Sequence, residues 1–528
     1  MIAQASFPRS GPERPFWKHP WLIAALILLS GLPLLLPEIP PLTDLPGHMG
    51  RYHVQMELPH SATLARYYTF DWSLIGNLGV DLLIVPLSHI FGNELASKSI
   101  ILSIPVLTAV GLLWVAHEVH GEIPPTAFFA LPFAFNFPFA FGFVNFALSM
   151  GLGLLAFALW LRLARLGRLK LRAALFVPLS IVIWVTHTFG WGTLGVMAFS
   201  AELVRQWDMR RGFFRAGWTA GLHCLSLAPP ILLMLLWRSG EHVTGQTADW
   251  FNWTLKWRWV EMALRDRWYY FDVGALVVVA LLLVIAVFHR RLTYSRNLLA
   301  SAIFLSLVYI LLPRIVFGSN YADMRLVPYV MAVATLAVRF RQGASRRLAT
   351  LLAVMGLSFF GARTIGSTIS FALFDKEYDR NLAALDHLPH DARLVSFVGT
   401  TCVKPWAMSR LEHLPGIALV RRNAFSNDQW SMPGAQLLQA TYPDGVGFRR
   451  DPSQQVVSRR CRFEQWRTMN EALAQFPRRA FDYVWLINPP PYDPALTRGL
   501  QPIWRNGSSV LYRVADRTPP GASPKEGQ

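Results

Sequence analysis

The sequence predicts a polytopic α-helical membrane protein of about eleven transmembrane helices, ending in a soluble C-terminal α/β domain. Three observations predict it: long unbroken apolar blocks, basic clusters confined to the gaps between them, and a change of composition near residue 368. Of 528 residues, 53% are hydrophobic and 16% charged, where a soluble chain of this length carries about a quarter charged. Blocks such as Trp21–Pro37, Val273–Phe288 and Leu298–Leu312 approach the roughly 17–25 residues that cross a bilayer core. Tryptophans near block ends (Trp17, Trp21, Trp184, Trp191, Trp237) suit an interfacial belt.

The formal charge of +18 is distributed in short loops: Arg162 to Arg172, Arg205 to Arg215, Arg290 to Arg296, and Arg339 to Arg347. This is the positive-inside pattern, which assigns those loops to the cytoplasm. No soluble basic domain with interleaved aromatics exists, so nucleic acid is excluded as a partner.

The elements follow in order. Residues 1–19, with Arg9, Arg14 and Lys18, form a cytoplasmic N-terminus. Trp21–Pro37 is the first crossing, and no small-residue cleavage site follows Pro37 as a signal peptide would require. Parity with the cytoplasmic loop at Arg162 requires three crossings among four segments: Leu78–Phe91, Ser97–Val115, Pro124–Ala140 and Phe143–Leu161. Leu78–Phe91 is short and contains Pro86, so it is assigned a juxtamembrane position. Seven further crossings follow: Ala173–Thr186, Trp191–Leu203, Trp218–Leu236, Val273–Phe288, Leu298–Leu312, Leu326–Val338 and Leu348–Phe360. The transmembrane domain is thus 20–367, with the N-terminus inside and the C-terminus outside.

Residues 368–516 carry frequent charges, and their apolar runs shrink to strand length: Leu394–Val398, Ile417–Val420, Tyr483–Ile487 and Ser509–Val514. Helices are expected at Lys376–Leu388 and Phe463–Phe476. The tail, 517–528, has a disordered composition. Cys402 and Cys461 both fall in this outer domain, where a disulfide persists; two free thiols are the alternative. Cys224 lies in an apolar span and is read as packing.

The stretch Leu42-Thr-Asp-Leu-Pro-Gly-His-Met-Gly-Arg-Tyr-His53 places Asp44, His48, Arg51 and His53 just outside the first helix. With a helix beginning near Pro46 under an Asp44 or Thr43 cap, His48 and Arg51 share a face. A carboxylate there can accept a proton from a hydroxyl or hold a divalent cation, and a histidine can assist either task. A helix cap with interfacial polar residues is the plainer alternative. Four other places share the outer face. Asn136 and Asn145 flank an aromatic turn suited to a sugar ring, or to a packed helical hairpin. His187 and Trp191 sit at an interfacial turn. Arg314, Asp323 and Arg325 are ionisable at membrane depth, where such groups are paired or functional; Asp323 with Arg325 is one pairing, and either arginine's forked donors suit a lipid-linked phosphate. The Trp250–Trp268 segment, with Lys256, Arg258, Arg265 and Arg267, reads as an amphipathic helix whose basic residues meet lipid headgroups. There is no Walker loop, Gly-x-Ser-x-Gly elbow or close Cys/His cluster. His117-Glu-Val-His120 misses the metalloprotease spacing and reads as a helix end.

A first helix, an acidic motif at its outer end, a juxtamembrane segment, a many-helix body and an outer soluble domain together resemble the GT-C superfamily. These are membrane glycosyltransferases that use polyprenyl-phosphate sugars. The Asp44-Leu-Pro-Gly-His48 motif, the Asn136–Asn145 region and the Asp323-Met-Arg325-Leu motif are also similar to bacterial membrane proteins within or beside that superfamily. The resemblance implies Asp44 as catalytic base or ligand of a divalent cation (Mg or Mn), with His48 beside it. It further implies a lipid-linked sugar donor, and a place in the bacterial inner membrane with the C-terminal domain periplasmic. Arg51, Asn145, His187, Arg314, Asp323 and Arg325 complete the expected substrate-binding set. The chain departs from the family in having no Asp-x-Asp or Glu-x-Asp pair at this point. A transporter or lipid flippase, and a non-catalytic membrane scaffold with a partner-binding outer domain, are the rival readings.

Overall fold

The computed structural model describes residues 15–239, 246–316, 318–343, 345–432 and 436–518. Arg9 and Arg14, and all of the expected disordered tail beyond residue 518, lie outside them. The chain is mostly helical through residue 387 and ends in a sheet-containing domain. Among the described residues, five helices are long and apolar enough to cross a membrane: Gly79–His120, Val144–Arg165, Leu169–Thr186, Tyr269–Phe288 and Arg346–His387. A sixth arises if Phe213–Leu227 and Pro229–Leu236, bent by 62°, act as one span.

Several apolar blocks are not single long helices, and proline explains most of the departures. Trp21–Pro37 folds as a short helix, Pro20–Leu29, then a single 3₁₀ turn at Leu32–Leu34 around Pro33. Pro124–Ala140 becomes an 11-residue 3₁₀ helix, Pro125–Phe135, and a short α-helix, Phe137–Phe141. Prolines at 124, 125, 132 and 138 remove the amide donors that a continuous α-ladder needs. Leu78–Phe91 is a distinct helical piece, separated from the following span by Gly92 at φ +75°. The Trp-rich segment is helical only over Trp253–Glu261.

The outer domain holds a six-stranded sheet in the order Arg467–Thr468, Gln455–Val457, Leu394–Gly399, Tyr483–Ile487, Ser509–Val514, Leu500–Asn506. The first four run parallel and the last two pair antiparallel. Ile417–Val420, expected as a strand, lies in the helix Gly416–Arg422; its short apolar run carries no period that separates strand from helix. Phe463–Phe476 is helical only over Met469–Gln475. Lys376–Leu388 is not a separate helix but the end of Arg346–Leu382 and its 3₁₀ extension. The composition boundary near 368 therefore falls inside one continuous helix. Cys402 and Cys461 are disulfide-bonded, and Cys224 is free.

The outer domain also recruits residues from the N-terminal half. Tyr68–Phe70 pairs antiparallel with Leu438–Ala440. The helix Leu45–Glu57 lies against Gly416–Arg422, and the glycines of the Asp44 motif permit that approach. A Cβ on Gly47 would sit 2.9 Å from Trp430 Cη2, and one on Gly50 2.9 Å from Gly416 O. Those glycines serve close helix packing.

The helical body and outer domain are joined around the segment Leu264–Asp272. Asp272, in the first turn of Tyr269–Phe288, accepts from Arg363 Nη1 (2.6 Å), Trp406 Nε1 (2.7 Å) and Asp266 N (2.8 Å). Asp266 accepts from Arg410 Nη2 (2.5 Å) and Ser370 Oγ (3.0 Å). Arg410 also donates to Pro41 O and stacks over Phe371 and Phe374. Arg265 donates to the carbonyls of Pro405 and Trp406. All four ionised groups of the two pairs are buried. Arg410→Ala, which strands a buried carboxylate, should cost about 3–5 kcal/mol. Thermal unfolding of the detergent-solubilised chain checks this, and the paired variant Asp266→Leu/Arg410→Met should recover much of the loss.

Candidate functional site

Asp44 sits where three parts of the molecule meet. Its amide donates to Phe141 O (3.0 Å), which ties it to the aromatic turn at 136–145. It precedes the helix Leu45–Glu57, and its carbonyl accepts the His48 amide (3.1 Å). The carboxylate makes no capping hydrogen bond, so the plain cap expected for it is not its role. It faces outer-domain residues instead: His413, Glu412, Asp451 and Lys404 all act on it electrostatically. Burial pushes its carboxyl up to about 7, with Glu412 and Asp451 adding and His413 and Lys404 opposing.

His413 is the cation of this cluster. Burial works against its charge, but a hydrogen bond to Asp428 and the fields of Asp451 and Asp44 hold its imidazole up at about 9. Its Nδ1 lies 3.7 Å from Asp428 Oδ2 and its Nε2 lies 3.9 Å from Asp451 Oδ1. Trp430 stacks on His413 with centroids 4.2 Å apart and on His48 at 4.8 Å. His48 is held well below its usual range by burial and by the charges of Arg51 and His413, so it is neutral. Lys404 pairs with Glu412. Sequence reasoning missed His413, Trp430, Asp451 and the Lys404/Glu412 pair. They lie in loops far from the motif, and only the packing of Gly416–Arg422 on Leu45–Glu57 brings them to it.

Arg325 approaches from the helical body at the turn that Asp44 also contacts, and Asp44 is the carboxylate whose field reaches it. Its guanidinium lies over Phe143 (4.1 Å), with Phe189 and Phe146 at 5.9 and 6.0 Å. Its contacts with His187 Nε2, Ser319 Oγ and Asn320 O are long, at 3.4 to 3.5 Å. Its buried Nε has no partner, and among the described residues no carboxylate forms an ion pair with it. An aromatic-walled guanidinium without a counter-ion is suited to an anion. His187, whose Nδ1 accepts the Phe189 amide, shares this wall.

The remaining expected residues are held in structural pairs. Arg51 is buried, 2.9 Å from Asp81, and donates to Gln436. Asn145 accepts from Val80 N and donates to Asn77 O and Asp81 Oδ2, joining two helices. Asn136 caps the helix Phe137–Phe141. Asp323 pairs with Lys256 at 3.2 Å, not with Arg325, because the buried ammonium of Lys256 reaches it from Trp253–Glu261. Arg314 is bound to Asp249. Lys256 and Arg265 are therefore buried structural cations and do not meet headgroups, whereas Trp250, Trp253 and Trp257 are exposed. In His117-Glu-Val-His120, Glu118 is taken by Arg165 and His120 contacts Leu336 O.

The surroundings of Asp44 do not fit the divalent cation implied by the resemblance. Its neighbours include a charged imidazolium and an ammonium, which repel a metal ion. Among the described residues no three His, Cys, Asp or Glu side chains group as a metal site.

No family model matches this chain, and no curated protein matches it either. The site is thus defined by its own geometry: a half-buried carboxylate poised near neutrality, an imidazolium beside it, and an unpaired guanidinium opposite. Infrared difference titration, taken against Asp44→Asn, should show a carboxylate midpoint near 7. In His413→Asn the midpoint should rise, because the lost cation favoured the ionised form.

Proposed function

We propose that the protein is a GT-C-like membrane glycosyltransferase. It takes a sugar from a polyprenyl-phosphate donor and passes it to an acceptor hydroxyl at the outer face of the bacterial inner membrane. In this reading the chain crosses the membrane about eleven times, with the N-terminus cytoplasmic and the 368–516 domain periplasmic. The observation that carries it is that Asp44, bonded through its amide to Phe141 O, and Arg325, lying over Phe143 two residues further along, meet at one aromatic turn, where the field of the carboxylate reaches the guanidinium.

The chemistry follows from those two groups. Ionised Asp44 accepts the proton of the acceptor hydroxyl as its oxygen bonds to the anomeric carbon. The bond from that carbon to the donor phosphate oxygen breaks, and the lipid phosphate leaves carrying the electron pair. Arg325 holds the charge that develops on it, in an aromatic setting that excludes water and strengthens the interaction. A base with a carboxyl near 7 is matched to this task at neutral pH. His413, kept cationic below about 9, favours the ionised form of Asp44. Transfer therefore rises with pH through about 7 as Asp44 ionises.

Asp44→Asn should lower transfer on the order of 10²–10⁴-fold while leaving the fold intact. Arg325→Lys, which keeps the charge but loses the fork, should also lower it. The measurement is the mass and amount of glycan product in cells carrying each variant as the sole copy. Unchanged product in Asp44→Asn would sink the assignment.

A further inference from the structure

A cavity of about 250 Å³ opens in the outer domain, with Lys404 and Glu412 in its lining. Its floor is formed by Gly399, Thr400 and Asn488, at the carboxyl ends of the adjacent parallel strands Leu394–Gly399 and Tyr483–Ile487. This is the switch point of the sheet. From Leu394–Gly399 the chain passes to Gln455–Val457 and Arg467–Thr468 on one side, then returns to Tyr483–Ile487 on the other. Ligands of open α/β sheets bind in the crevice at such a point. The wall is Lys404 and Glu412, the same two residues whose fields reach Asp44. The Lys404–Glu412 ion pair thus both lines the cavity and acts on the proposed catalytic carboxylate.

The lining selects a class of ligand. Thr400, Thr401 and Ser409 offer hydroxyls, which both donate and accept. Lys404 and Glu412 neutralise each other, so the cavity has no net charge to attract a nucleotide or other polyanion. Its floor strands are interior to the sheet, so no free edge is present for an extended peptide. Pro405, Met408 and Pro490 add apolar surface for the face of a ring. The wall is also fixed in place: Cys402 is bonded to Cys461, and Pro405, Trp406 and Arg410 are tied to the helical body.

We infer that this cavity is the acceptor subsite and that the acceptor is a carbohydrate, seated with one hydroxyl toward Asp44. The inference rests on the transfer reading above, since it supplies that reaction's second substrate.

The test uses the full chain in its native membrane, with the photoreactive residue benzoylphenylalanine placed at Thr401. Irradiation should give an adduct that reacts with hydrazide after periodate oxidation, the signature of vicinal diols. The adduct should be absent when the probe stands at Gln501, on the exposed edge strand, and lost when Ser409→Trp fills the cavity. In Asp44→Asn it should persist or increase, because bound acceptor is no longer consumed. No adduct, an adduct without carbohydrate, or equal labelling at Gln501 overturns the inference. The two readings fail separately. Asp44-dependent transfer without a Thr401 carbohydrate adduct removes the acceptor subsite and leaves the transferase. A carbohydrate adduct with Asp44-independent product leaves a carbohydrate site and removes Asp44 as base.

Discussion

Two buried carboxylates, Asp266 and Asp272, hold the outer domain to the helical body. Desolvated charge is costly, and it is offset here by donors to both residues: Arg363, Trp406 and a backbone amide for Asp272, and Arg410 and Ser370, both on Oδ1, for Asp266. Such an arrangement tolerates little displacement, since losing one partner strands a charge. The site inherits that rigidity. The loop that leaves Arg410 leads within three residues to Glu412 and His413, the groups that set the charge state of Asp44.

The electrostatics of the site are divided between the two halves of the molecule. The helical body supplies an unpaired guanidinium and aromatic walls, while the outer domain supplies the imidazolium and its carboxylate partners. Asp44 stands on the segment that connects them. Its ionisation is thus sensitive to how well the domains are docked, because every outer-domain group that shifts it arrives from residues 404–451.

Much of this was legible in the sequence, and the limits have physical causes. The mostly helical body with its long apolar helices, and the sheet-bearing C-terminal region, followed from apolar blocks and the change of composition. The pairing of Asp323 with Lys256, and of Arg51 with Asp81, did not, because each joins elements 67 and 30 residues apart. The two-residue separation of Asp323 and Arg325 suggested a local pair, and tertiary packing chose a distant one. His413 and Trp430 gave no signal at all: a lone histidine and a lone tryptophan in loops acquire meaning only when Gly47 and Gly50 let two helices meet. Prolines, by contrast, were visible throughout, and they account for the interrupted helices of Trp21–Pro37 and Pro124–Ala140.

The helix Arg346–Leu382 runs without a break from the helical body into the outer domain. At about 1.5 Å per residue, its 37 residues reach some 55 Å, well beyond a hydrocarbon core of about 30 Å. The two parts are therefore joined by a rod and not by a tether. Adding or removing a single residue within it would swing the outer domain by roughly 100° about the rod's axis and lift or lower it by one rise. Azimuth and height of the outer domain along the rod are coupled in the length of this one element, so length changes between the two parts can be accommodated only in near-whole turns.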